Sequence, residues 1–156
     1  MKTKVLAKKL PLIGWREWVA LPDLQTPAIK AKIDTGARSS ALHAFDLEIL
    51  TGAEQTYLRF KVHPQQRSDR GVIETQAPLL EYRAVRSSNG LVEKRPVIQT
   101  SIALGDRAWT IDLTLTNRDV MGFRLLLGRQ AIRRQFWVDP GRSFLHPISP
   151  GSGPRL

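Results

Sequence analysis

The stretch KIDTGARSSALHA, Lys32 to Ala44, sets an acid at the end of an apolar run and follows it at once with Thr-Gly-Ala. Just upstream, Ile29, Ala31 and Ile33 alternate with Lys30 and Lys32, the period-two pattern of a strand with one face in a core. Asp34 therefore stands at a strand end. It is either a solvated turn residue, since Asp side chains readily bond their own backbone, or a carboxylate lifted into a groove for chemistry. Thr35 offers a hydroxyl and Gly36 a backbone free to turn, and that hydroxyl and the nearby amides would hold the acid. One carboxylate does little alone. Two that share a proton can activate a water, because like charges a few ångström apart cannot both ionise.

The same period runs outward from this point. Leu58, Phe60 and Val62 alternate with polar neighbours over Tyr57–Val62, and Ile111, Leu113 and Leu115 do so over Trp109–Thr116. Trp15–Leu21, Ala41–Leu50, Glu81–Arg86 and Leu91–Ile98 read as further strands. Asn89-Gly90 between two of them predicts a two-residue type I′ hairpin, which needs positive φ at both positions; Gly105-Asp106 predicts a second. Pro64 to Pro78 is polar and irregular and reads as a loop. Only Arg129–Gln135 looks helical, with Arg133 and Arg134 placed where cations suit a helix C-terminus. The expected organisation is one mainly β domain, a small closed barrel with one short C-terminal helix, over 15–146. An N-terminal extension, 1–14, precedes it, and a disordered tail, 147–156, ends in SPGSGPRL.

With 156 residues, the chain is long enough to bury a core without staples. It has no cysteine, which excludes disulfides and thiolate metal sites. The balance of 24 Lys and Arg against 14 Asp and Glu gives +10, which favours acidic partners. The charges are scattered and no nucleic-acid motif is present, so a solvated basic surface is expected rather than specific nucleic-acid binding. Lys8, Lys9 and Pro11 interrupt any signal-like segment, and no apolar run approaches a membrane span; a cytoplasmic protein is expected. His43, His63 and His146 lie far apart in sequence and read as surface or packing residues, not as a metal site, which needs three or four ligands. The four tryptophans read as core and interface anchors.

Far downstream of Asp34 comes Leu125-Leu126-Leu127-Gly128-Arg129. Asp-Thr-Gly-Ala followed by an apolar run and Gly-Arg resembles the retropepsins, the single-domain aspartic proteases. KIDTGARSSALHAFDLE, RFKVHP, RAVRSSNGLVEKRPVI, LTLTNRDVMGFRLLLGRQAI and FWVDPGRS together resemble its bacterial branch labelled "ATP-dependent zinc proteases", which is linked with ATP-grasp ligases that glutamylate ribosomal proteins. The resemblance spans Trp15 to Leu145. It implies an acid-protease barrel in which Gly128 lies beside the catalytic loop in a ψ-shaped arrangement and a hairpin tipped by Ser87-Ser88-Asn89-Gly90 folds over the substrate as a flap.

The roles it implies are Asp34 as catalytic acid and base, Thr35 and Gly36 orienting it, and Ala37, Asn89, Gly90 and Gly128 forming the substrate site. No cofactor is implied, since water is the nucleophile, and the zinc and ATP of the older label find no motif here. With one Asp-Thr-Gly per chain, a homodimer must supply the second acid; Asp112 and Asp139 are not followed by Thr-Gly or Ser-Gly and are rejected. One departure stands out. Retroviral members carry an acid where this chain has Arg38, so Arg129 must find another partner, Asp139 or a residue of a second chain. The competing reading is a peptide-binding module or adaptor beside a glutamate ligase.

Overall fold

The computed structural model describes residues 9–87, 89–118 and 122–148. Its strands are β1 (Leu12–Ile13), β2 (Arg16–Leu21), β3 (Thr26–Asp34), β4 (Ser40–His43), β5 (Phe45–Thr51), β6 (Thr56–Val62), β7 (Ile73–Arg86), β8 (Val92–Leu104), β9 (Arg107–Thr116), β10 (Leu125–Gly128) and β11 (Trp137–Val138). One short helix, α1, covers Arg129–Ile132. Six strands, in the order β2-β3-β10-β4-β9-β8, close on themselves where Ala20 of β2 pairs with Ala103 of β8. The expected mainly β barrel with one short helix is what the chain forms. No helix among the described residues is long and apolar enough to cross a membrane.

The alternation read from the sequence fills the barrel. Ile29, Ala31 and Ile33 from β3 meet Leu113 and Leu115 from β9 and Leu125 and Leu127 from β10 in one buried cluster, with Leu58, Phe60 and Val62 of β6 completing it. At roughly 1.5–3 kcal/mol per buried aliphatic or aromatic side chain, this cluster is the main stabilising term. The two-residue turn Gly105-Asp106 forms as expected between Leu104 and Arg107, with Gly105 at φ +60°. Positive φ at the first turn position favours glycine.

Several expected boundaries move, among them the end of β8, which runs on from Ile98 to Leu104. The run Ala41–Leu50 splits at Ala44: β4 stays in the barrel between β9 and β10, whereas β5 leaves it to pair with β6. Asp46 takes a left-handed φ of 53° at that departure, a bend that period counting cannot register. The segment read as a loop to Pro78 becomes strand at Ile73. The first half of β7 pairs with β6 as far as Pro78, and from Leu79 onward β7 pairs with β8. Proline has no N–H to give a ladder, and here it marks the point where the strand changes partner. The helix ends at Ile132 rather than Gln135, because Arg133 is extended (ψ 140°) and Arg134 is left-handed (φ 68°).

The ends of the domain are tied together. Leu12 and Ile13 pair in parallel with Trp137 and Val138. Glu17 is fully buried, and its carboxylate accepts from the amides of Gly14, Leu145 and His146 at 2.8, 2.9 and 3.2 Å. A buried carboxylate is tolerated when hydrogen bonds replace its hydration. Of the tail expected to be disordered over 147–156, Pro147 and Ile148 are described and the rest lies outside the described residues. Trp109 is part-buried and donates to the Ala131 carbonyl at 3.1 Å, whereas Trp137 is 61% exposed.

Candidate active site

Asp34 is the last residue of β3, and Gly128, the last residue of β10, stands directly opposite it. β10 runs parallel to β3 on one side and antiparallel to β4 on the other. The segment that leaves β3 and returns as β4 thus straddles a strand made much later in the chain, the ψ-shaped arrangement. Within the turn, Asp34 Oδ1 accepts from the amides of Gly36 and Ala37 at 3.0 and 3.2 Å. Oδ2 has no partner among the described residues. The half-buried carboxylate is held by backbone, not by the Thr35 hydroxyl, since Thr35 points to solvent. Gly36 has no positive φ; what it supplies is room, because a Cβ there would come within 3.3 Å of Asp34 Oδ1.

The turn is clamped from behind. Arg129 N–H donates to the Ala37 carbonyl at 2.8 Å and Gln130 N–H to the Arg38 carbonyl at 3.2 Å. Gly128 N–H donates to Ser40 Oγ at 3.0 Å. A Cβ on Gly128 would lie 2.4 Å from the Ser39 carbonyl oxygen, so the strand approaches closely only without a side chain. The Arg129 guanidinium donates to the Gly36 carbonyl at 3.2 Å. Of the partners expected for it, Asp139 instead accepts from Gly141 N–H at 2.9 Å.

In front of the turn lies a groove of about 660 Å³, walled on the far side by the β7–β8 hairpin. Asp34, Gly36, Ala37 and Asn89 line it. Gly128 is buried beneath the turn, and Gly90 is exposed at the hairpin tip, where a Cβ would meet nothing within 4 Å. The hairpin differs from the two-residue turn expected. Arg86 and Val92 are its last paired residues, Ser87 N–H donates to the Leu91 carbonyl at 2.8 Å and Gly90 N–H to the Ser87 carbonyl at 2.9 Å. That pattern is a three-residue loop closing on a left-handed residue, here Gly90 at φ +85°; Ser88 lies outside the described residues.

The groove also holds what the sequence reading took for scattered surface charge. Arg38, Arg86, Arg95 and Arg118 all line it, against the single carboxylate of Asp34. Three of these are exposed; Arg95 is buried, at 9%. Glu93, two residues before it on the same face of β8, accepts from Arg95 Nε and, at 3.0 Å, from Thr116 Oγ1, with Arg118 Nε 3.6 Å away. Partial burial raises the Glu93 pKa, but the hydrogen bonds from Arg95 and Thr116 and the two guanidinium charges outweigh it and hold the group below its ordinary value. Glu93 is a lasting anion. The i, i+2 spacing of Glu93 and Arg95 was visible in the sequence; their convergence with Arg38 and Arg118 depends on the barrel.

Elsewhere, His43 and His63 do meet, their rings stacked with centroids 5.6 Å apart and Phe45 against His63 at 4.3 Å. No group of three or more His, Cys, Asp or Glu side chains gathers as a metal site among the described residues.

The chain matches the model of the family described as "RimB-like: Retropepsin-like aspartic endopeptidase RimB" over residues 12–148. It is 46% identical over 129 residues to a probable alpha-L-glutamate ligase of Parasynechococcus marenigrum, covering 83% of this chain and 28% of that one. A probable alpha-L-glutamate ligase of Shewanella halifaxensis is 44% identical over 133 residues, covering 85% and 29%. The chain thus spans less than a third of the curated relatives it matches. The crystal structure of a protein of unknown function from Legionella pneumophila superposes with a TM-score of 0.73 at 33% identity, covering 88% of this chain and 98% of that one.

Proposed function

The chain belongs to the RimB-like family of retropepsin-like aspartic endopeptidases, and from that premise we propose that it hydrolyses peptide bonds in acidic segments of polypeptide, with a water activated between two Asp34 carboxylates of a homodimer. The observation that carries the reading is the Asp34 carboxylate, fixed through Oδ1 by two amides and with no partner for Oδ2 among the described residues, in a groove with four guanidinium groups. A two-fold axis through the site brings a second Asp34 to the first. The charged member takes a proton from water as it attacks the scissile carbonyl. The protonated member gives its proton to the carbonyl oxygen, and the resulting diol collapses with proton transfer to the leaving amine. The amides of Gly36 and Ala37 keep Oδ1 in place, so that little reorganisation accompanies the transfer.

The substrate class follows from charge. Guanidinium groups pair with carboxylates bidentately, and the relatives are named for a glutamate ligase, an activity whose products carry peptide-bonded glutamate. Purified protein incubated with glutamate-containing peptides should yield cleavage products by mass spectrometry, and Asp34→Asn should abolish them with an unchanged circular dichroism spectrum. Equal hydrolysis by the variant would remove Asp34 from the mechanism.

The same relatives favour a second reading, because they are named for ligation and this chain matches only 28–29% of them. A non-catalytic module would present glutamate-bearing peptide to a ligase. It would bind the same peptides in calorimetry and give no products at any pH or protein concentration.

A further inference from the structure

Four arginines reach the groove, but they are not equivalent. Arg38, Arg86 and Arg118 are exposed, so a ligand that engages them must first immobilise long side chains at an entropic cost. Arg95 is already fixed. Its Nε–H goes to Glu93 and one Nη1–H reaches Thr114 Oγ1 at 3.5 Å. Thr114 Oγ1 in turn donates to the Ser40 carbonyl at 3.0 Å, and Ser40 Oγ receives the Gly128 amide. The guanidinium is therefore tied by hydrogen bonds to the same framework that clamps the Asp34 turn. Its Nη2 has no partner among the described residues, and Arg95 lines the groove. A planar guanidinium held in place before binding, with Nη2 still able to donate, presents a directed donor to a carboxylate as well as a charge.

We propose that Arg95 is the specificity-determining residue by which the groove selects a substrate carboxylate over its amide isostere, and that Glu93 is the positioning residue that aims it. The inference rests on the reading of the groove as a site for acidic peptide. Glu93 is shared between Arg95 and Arg118, so one anion orients two cations and the cluster keeps a net positive charge. A site built to bond a specific polar group rejects the analogue lacking it far more strongly than a diffuse field does.

The experiment uses the Asp34→Asn protein as a non-cleaving background. Calorimetry or fluorescence anisotropy measures its affinity for a glutamate-rich peptide and for the same peptide with one glutamate at a time replaced by glutamine. At one position the parent should favour glutamate by about tenfold or more. Arg95→Gln should bring that ratio near one; Arg95→Lys, which keeps the charge but not the fork, should recover only part of it and guards against a fold defect in the glutamine variant. Arg70→Gln, which removes an exposed arginine outside the groove, controls for net charge and should leave the ratio unchanged. Glu93→Ala separates aiming from simple electrostatics. A diffuse positive groove would gain preference for glutamate on losing an anion, whereas a misaimed Arg95 loses it. Preference retained in both Arg95 variants, or raised in Glu93→Ala, overturns this inference alone. A parent indifferent to every replacement overturns the acidic-substrate reading and this inference with it.

Discussion

At Gly128 the constraint is space. Its φ of −86° suits any residue, yet a methyl group there would stand 2.4 Å from the Ser39 carbonyl oxygen and 2.8 Å from that of Ala37. Both atoms are backbone and cannot swing away. Gly128→Ala should therefore destabilise the fold by about 1–3 kcal/mol, the usual cost of overpacking, and push the Asp34 turn forward. Urea unfolding reads the first effect and peptide cleavage the second; an alanine variant with parental stability would show that β10 does not bear on the turn. Asp34 and Gly36 were legible in the sequence because their chemistry is local, an acid at a strand end followed by a residue without a Cβ; Gly128 entered through the resemblance. The reason assigned to Gly36 was less legible, since it supplies clearance beside a carboxylate rather than a turn conformation. Arg95 and Glu93 were hidden, because a buried charge pair on a strand looks like any alternating surface pair until the barrel closes around it.

The β7–β8 hairpin is the element most open to change. Its tip residues Leu91 and Val92 are 56% and 57% exposed, and only its base is built into the barrel. Gly90 sits at φ +85° with open space around it, so a side chain there meets no clash and only conformational strain. Gly90→Val should cost about 1 kcal/mol or more at the tip, a drop of roughly 2–4 °C in melting temperature for a chain of this size. If the hairpin covers bound peptide, kcat/KM should fall well beyond that small loss of stability. Unaltered kinetic constants would place the tip outside the substrate path. Asn-Gly announced a turn at the right place but not its length, which the pairing of Arg86 with Val92 decides. The same limit hid the partner change at Pro78. Which neighbour a strand takes is settled by the sheet, not by the strand's own alternation.

Over the whole molecule, a mainly β class and a closed barrel were legible because the apolar period recurs along the strands with turn residues between them. The order β2-β3-β10-β4-β9-β8 was not written in any one segment; the resemblance implied only the ψ-shaped placement of Gly128 beside the Asp34 loop. The proposed mechanism requires two chains, since each carries one Asp-Thr-Gly. Specific activity should fall on dilution into the range where light scattering reports monomer, and an excess of Asp34→Asn chains should inhibit the parent by forming heterodimers with a single carboxylate. The net charge of +10 opposes self-association, so moderate salt should shift the dilution midpoint to lower concentration by screening. Full activity from a strictly monomeric protein would contradict the paired-acid chemistry.

The insertion of β10 between β3 and β4 also sets an order of events during synthesis. Gly36 and Arg129, which clamp one another across the turn, are 93 residues apart, a gap of about 5–20 s at ribosomal rates of 5–20 residues per second. Throughout that interval the acid-bearing turn is made without the strand that supports it. Pairings of such long range are among the last to form in a folding chain. The nascent protein thus carries its Asp-Thr-Gly in an unbuilt state until the barrel is nearly complete, and a chain truncated before β10 would have the acid but no framework to hold it.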